Sequence, residues 1–81
     1  MNAYPGPDPY ALVAQALECP RESLNEHSGL AVTPEWDSFG HLKVLMVMSE
    51  TYGIEINDQT IVAYQTMAGI LSFHQEWSSH G

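Results

Sequence analysis

The sequence predicts an all-α fold: a small four-helix bundle of three main helices and one short helix, with a long first loop. Three observations predict it. Apolar residues recur at helical spacing in separate segments. Each segment opens beside a residue able to cap a helix, and the first two run into Pro20 and Gly53. The β-like alternation Ile54-Glu55-Ile56 spans only three residues, so it reads as an extended anchor that inserts Ile54 and Ile56 into the core.

The elements follow in order. Residues 1–7 contain Pro5, Gly6 and Pro7 and are expected to be a disordered lead-in. Asp8-Pro9 reads as a helix start: the carboxylate caps free N–H groups, and Pro at the first position gives up a donor that had no partner. Leu12, Val13, Ala16 and Leu17 then cover one face, and Pro20 stops the helix. Residues 21–36 lack sustained periodicity and read as a long loop anchored by Leu24, Leu30 and Val32, with a short helical turn near Pro20. An irregular connection of this length in so small a domain is usually functional.

Asp37-Ser38 opens the clearest helix, and either residue can cap it; Gly53 suits its left-handed stop. Val44, Val47, Met48 and Tyr52 make one apolar stripe, and Phe39, Leu42, Leu45 and Met46 a second. One stripe can pack against the first helix. The other is left to face a partner or cargo. Asp58 is the expected cap of a short helix carrying Ile61, Val62 and Tyr64. Thr66 caps a last helix with Met67, Ile70, Leu71 and Phe73 at helical spacing, and Ser78-Ser79-His80-Gly81 reads as a flexible tail.

Composition bounds the function. At 81 residues the chain makes one domain, with an expected radius of gyration of roughly 12 Å. Acidic residues number 10 against 2 Lys plus Arg, a net charge of −8. That balance argues against nucleic acid and anionic membranes and favours a protein partner with a basic surface. The longest apolar run, Val44-Leu45-Met46-Val47-Met48, is far short of the ~20 residues that cross a bilayer. The opening residues have neither a basic nor an apolar region, so no secretory leader is expected. The single Cys19 permits no internal disulfide and fits a reducing cytoplasm.

Ser38 is the pivotal residue. Around it runs Glu35-Trp36-Asp37-Ser38-Phe39-Gly40, which lacks the G-x-S-x-G elbow of a serine hydrolase. His41 lies one helical turn away and could reach the hydroxyl, making a minimal esterase a remote third reading. On its own the serine reads as a helix cap.

The segment Asp37-Ser38-Phe39, followed by a helix and then Tyr52-Gly53-Ile54-Glu55-Ile56-Asn57-Asp58, resembles acyl carrier proteins. Their pattern is Asp-Ser-Leu opening the second helix, a Phe-Gly-Ile-Glu-Ile-like segment at its end, and a short third helix. The resemblance spans about residues 8–73. It implies an acyl-carrier-type bundle over residues 8–76, with a flexible tail over 77–81. It implies that Ser38 carries 4′-phosphopantetheine, covalently attached from coenzyme A by a phosphopantetheinyl transferase. An acyl or aminoacyl group would ride on the terminal thiol as a thioester. A loading enzyme and downstream enzymes with basic docking surfaces would be the partners. The chain would act as a monomer without catalysis of its own. Asp37, Phe39, Leu42, Met46 and Val62 would line the partner-facing side. Lys43, Ser49, Gln59 and Val62 stand where typical fatty-acid carriers place acids, and Phe39 replaces the usual Leu. These departures point toward a stand-alone carrier of a specialised pathway, not housekeeping fatty-acid synthesis.

Other features have ordinary readings. His27, His41, His74 and His80 are scattered and read as surface residues, and no metal site is expected. Cys19 reads as a small packing residue and Trp36 as packing beneath the loop. Glu22, Glu26, Glu35 and Asp37 form a solvated acidic face. A second functional reading is a non-catalytic interaction module that uses Phe39, Leu42 and Met46 to bind a partner helix or groove.

Overall fold

A computed structural model describes residues 8–80; the expected lead-in over 1–7 and Gly81 lie outside the described residues. Four α-helices follow in order: α1 (Pro9–Leu17), α2 (Ser38–Tyr52), α3 (Asp58–Ala63) and α4 (Met67–His80), with one 3₁₀ turn at Arg21–Ser23. The radius of gyration is 12.1 Å. Among the described residues no helix is long and apolar enough to cross a membrane.

Local chemistry sets each boundary. Asp8 caps α1 by accepting from the Tyr10 amide at 3.1 Å, with Pro9 at the first helical position. The helix ends before Pro20 acts, because Glu18 adopts a left-handed conformation (φ 58°) and its N–H turns back to the Ala14 and Gln15 carbonyls. Gly53 closes α2 at φ 76°, a conformation glycine adopts without a Cβ clash. Asn57, not Asp58, caps α3: its side chain accepts from the Thr60 amide while the Thr60 hydroxyl accepts from the Asn57 amide. The Thr60 hydroxyl also donates to the Glu55 carbonyl at 2.7 Å. The chain therefore turns directly after Ile56, which stays 42% exposed instead of entering the core; Ile54 alone packs inward.

Thr66 caps α4 through the Gly69 amide at 3.1 Å. The helix continues through the residues assigned to a tail. The Ser78 and Ser79 hydroxyls bond back to the Gln75 and Glu76 carbonyls, which lets serine stay within a helix.

Val13, Trp36, Val44, Leu45, Met48, Met67 and Ile70 are fully buried. Leu45 thus belongs to the core and not to the outward stripe expected from its neighbours Leu42 and Met46. The buried face of α2 runs Gly40, His41, Val44, Leu45, Met48, which is regular helical spacing once the polar His41 is counted. α1 packs along this face.

The long loop is stitched to the bundle. The Leu30 amide donates to the Gln65 carbonyl at 2.8 Å, and the Met67 amide to the Ser28 carbonyl at 2.9 Å. These bonds form an isolated antiparallel bridge at Gly29 and Thr66. Leu24 is buried and Leu30 half-buried, but Val32 is 71% exposed and anchors nothing.

One ion pair carries a pH signature. Arg21 Nε donates to Asp8 Oδ2 at 2.6 Å, and this bond, opposed by partial burial, holds the Asp8 carboxyl below its usual 3.8. A lowered folded value means the pair stabilises above the unfolded value, and that contribution is lost as pH falls through the folded one. Asp8→Asn keeps a capping side chain while removing the charge. Thermal melts should therefore show the natural chain ahead of the variant at neutral pH and the two converging in acid. The gap should be small because the pair is exposed. A gap that widens on acidification would contradict the assignment.

Candidate functional site

Three hydrogen bonds organise the start of α2. Asp37 is its cap, with an extended backbone and a side chain that accepts from the Gly40 amide at 2.7 Å. The cap assignment left open by the sequence thus falls to Asp37. Ser38 becomes the first residue of the helix and is exposed. Among the described residues its hydroxyl takes part in no hydrogen bond of the set that fixes this turn. A free hydroxyl therefore stands where the first amides of the helix and its dipole favour negative charge.

Beneath it lies a buried polar chain. Trp36, just ahead of the cap, is fully buried, and its Nε1 donates to His41 Nδ1 at 3.0 Å. Because an indole N–H can only donate, Nδ1 must accept, so Nε2 carries the proton and donates to the Ile61 carbonyl of α3 at 2.8 Å. His41 is 4% exposed. The surface role expected for His41 is thereby overturned: both ring nitrogens are engaged, by Trp36 and by the Ile61 carbonyl. His74 is also not a free surface residue: its Nδ1 lies 3.0 Å from the Tyr52 hydroxyl.

Outward from Ser38, Phe39, Leu42, Met46 and Val62 are 68%, 45%, 50% and 65% exposed. Asp37 is exposed as well. Lys43 lies beside this stripe, its Nζ 5.1 Å from the Phe39 ring centroid and 3.2 Å from Glu18 Oε2. Lys43 therefore ties the stripe to the end of α1.

Two open cavities flank the region. One of about 250 Å³ lies between α1 and α2 and is lined by Ala16, Lys43, Met46 and Val47 among others. The other, about 420 Å³, lies in the long loop, with Asn25, His27, Thr33 and Glu35 in its wall. The sequence marked residues 21–36 only as a whole, by their length and lack of periodicity; no pattern within them pointed to a cavity. The buried Trp36–His41 link did leave a signal: a Trp and a His five positions apart, bracketing a helix start.

Among the described residues no group of three or more His, Cys, Asp or Glu side chains is placed to hold a metal ion. Cys19 is a free thiol, half-buried against the core. Comparison with protein-family models, with curated proteins and with solved structures finds no match.

Proposed function

We propose that this protein is an acyl carrier of the cytoplasm, with Ser38 the attachment point of 4′-phosphopantetheine and the outer face of α2 its docking surface. The observation that carries the reading is the exposed, uncommitted Ser38 hydroxyl at the first position of α2, directly after the Asp37 cap. The residues present suit such a group. The hydroxyl is a free nucleophile, and the helix terminus behind it tolerates a phosphodiester's charge. When bound, the group supplies a thiol on a long flexible arm that holds an acyl or aminoacyl cargo as a thioester.

The chain's own residues do the rest. Ser38 Oγ forms the new bond to phosphorus, its proton passes to a base of the phosphopantetheinyl transferase, and 3′,5′-ADP leaves coenzyme A. Asp37 fixes the first turn. Trp36 and His41 lock the segment on either side of Ser38, so the attachment point is rigid while the arm moves. Phe39, Leu42, Met46 and Val62 offer apolar contact to the loading and downstream enzymes, and the net charge of −8 favours partners with basic surfaces. The basic Lys43 on the same helix supports a specialised pathway over general fatty-acid synthesis.

Incubation with coenzyme A and a broad-range phosphopantetheinyl transferase, followed by intact mass measurement, tests this. The expected result is one added phosphopantetheine on the natural chain and none on Ser38→Ala. An unchanged mass, or a gain that survives the substitution, refutes the carrier reading. The exposed stripe also supports a second reading, a non-catalytic interaction module, for which partner binding should be indifferent to Ser38→Ala and weakened by Met46→Asp.

A further inference from the structure

We infer that the bundle is closed to its cargo, which rides outside in solvent with its thioester accessible, and that the cargo class is therefore a short or polar acyl group. This rests on the carrier reading and adds where the cargo sits. A long alkyl chain in water is disfavoured and needs an apolar berth. A short or polar group needs none.

A chain hung from Ser38 meets three seams around the first turn of α2, and each is shut by a contact. Toward α3, His41 Nε2 donates to the Ile61 carbonyl at 2.8 Å. Toward the long loop, the fully buried Trp36 indole donates to His41 Nδ1 at 3.0 Å. Toward α1, a carbon added at Gly40 would lie 2.9 Å from Leu17 Cδ2 and 2.5 Å from the Glu35 carbonyl oxygen. That gap does not admit even one methyl group. Parting α2 from α3 would break the His41–Ile61 bond, and parting it from the loop would break the Trp36–His41 bond inside the core. An alkyl chain can replace neither partner, so each opening leaves polar groups unsatisfied.

Behind the seams, Val13, Val44, Leu45, Met48, Met67 and Ile70 are each at most 1% exposed. An interior packed in this way accepts added carbons only by forcing side chains off their rotamers. Among the described residues no buried side-chain nitrogen or oxygen lacks a partner, so the interior also offers a polar guest no anchor. The open spaces lie elsewhere. The two cavities beside the region have Thr33 and Glu35 in one wall and Lys43 and Met46 in the other, and none of the six interior residues lines either.

The test loads the protein with an acetyl or a ¹³C-labelled octanoyl group, using the acyl-coenzyme A and a phosphopantetheinyl transferase, and intact mass confirms loading. Nuclear Overhauser contacts are sought between the octanoyl methylenes and the methyl groups of Val13, Val44, Leu45 and Ile70. Separately, the rate at which hydroxylamine cleaves each thioester is divided by the rate for the same acyl group on free pantetheine. The contacts should be absent and the acetyl and octanoyl ratios equal. A contact to any of these methyls, or a several-fold lower octanoyl ratio, overturns the inference and leaves the carrier reading intact. If the mass never rises, the carrier reading fails, and the closed interior is judged with Ser38→Cys in a Cys19→Ala background, alkylated with N-octyl iodoacetamide. Contacts from that octyl chain to the same methyls refute the closure, and their absence upholds it.

Discussion

Replacing Trp36 with alanine is expected to remove about 3–5 kcal/mol of stability. A domain of this length holds only about 4–12 kcal/mol in total, so the variant should sit at the edge of unfolding. Two losses combine. The fully buried indole leaves a cavity at the centre of the core, and His41 Nδ1 loses its donor inside that cavity. Trp36→Phe separates them, since the ring volume is largely kept while the N–H is lost. That variant should cost about 1–3 kcal/mol, the penalty for an unsatisfied buried acceptor. Urea denaturation with unchanged m-values measures both. A Trp36→Ala variant within 1 kcal/mol of the natural chain, taking ~1 kcal/mol as the typical effect of an arbitrary substitution, would show that the indole does not hold the core.

Gly40→Ala should also destabilise the protein, although a glycine inside a helix ordinarily gains about 0.5–1 kcal/mol from this substitution. Here a Cβ would lie 2.5 Å from the Glu35 carbonyl oxygen, 2.9 Å from Leu17 Cδ2 and 3.2 Å from Asp37 Oδ1. The leucine can rotate away, but the carbonyl belongs to backbone held by the Trp36 anchor. Overpacking costs of about 1–3 kcal/mol then outweigh the helical gain, for a net loss of about 1 kcal/mol. The strain falls on the segment that presents Ser38, so amide shifts at Trp36, Asp37 and Ser38 should move most. A variant more stable than the natural chain would sink this account.

The elements were legible wherever local chemistry decides them. Asp8-Pro9, Asp37, Gly53 and Thr66 mark boundaries that the structure keeps, because capping and left-handed stops depend on a few adjacent residues. The exposed face of Phe39, Leu42, Met46 and Val62 was legible too. What escaped was burial of a polar side chain. A stripe drawn from apolar residues alone omits His41, and without His41 the buried Leu45 falls into the outward stripe, while Val44 and Met48 are placed correctly. The partners that make His41 admissible, an indole N–H and a carbonyl 20 positions away, are properties of the assembled core. Ile56 failed for the opposite reason: the Asn57–Thr60 cap is local, but its effect is to swing the preceding side chain outward.

The bridge at Gly29 and Thr66 has a consequence for how the molecule breathes. It couples the irregular half of the chain to the first turn of α4, and the bonds on either side, Leu30 to Gln65 and Met67 to Ser28, leave that half little freedom to lift away by itself. Nicking by a protease in this region should therefore wait on opening of the whole domain and follow its global unfolding equilibrium. The least regular part of the backbone would then be as slow to exchange its bridging amide protons as the helix it is sewn to.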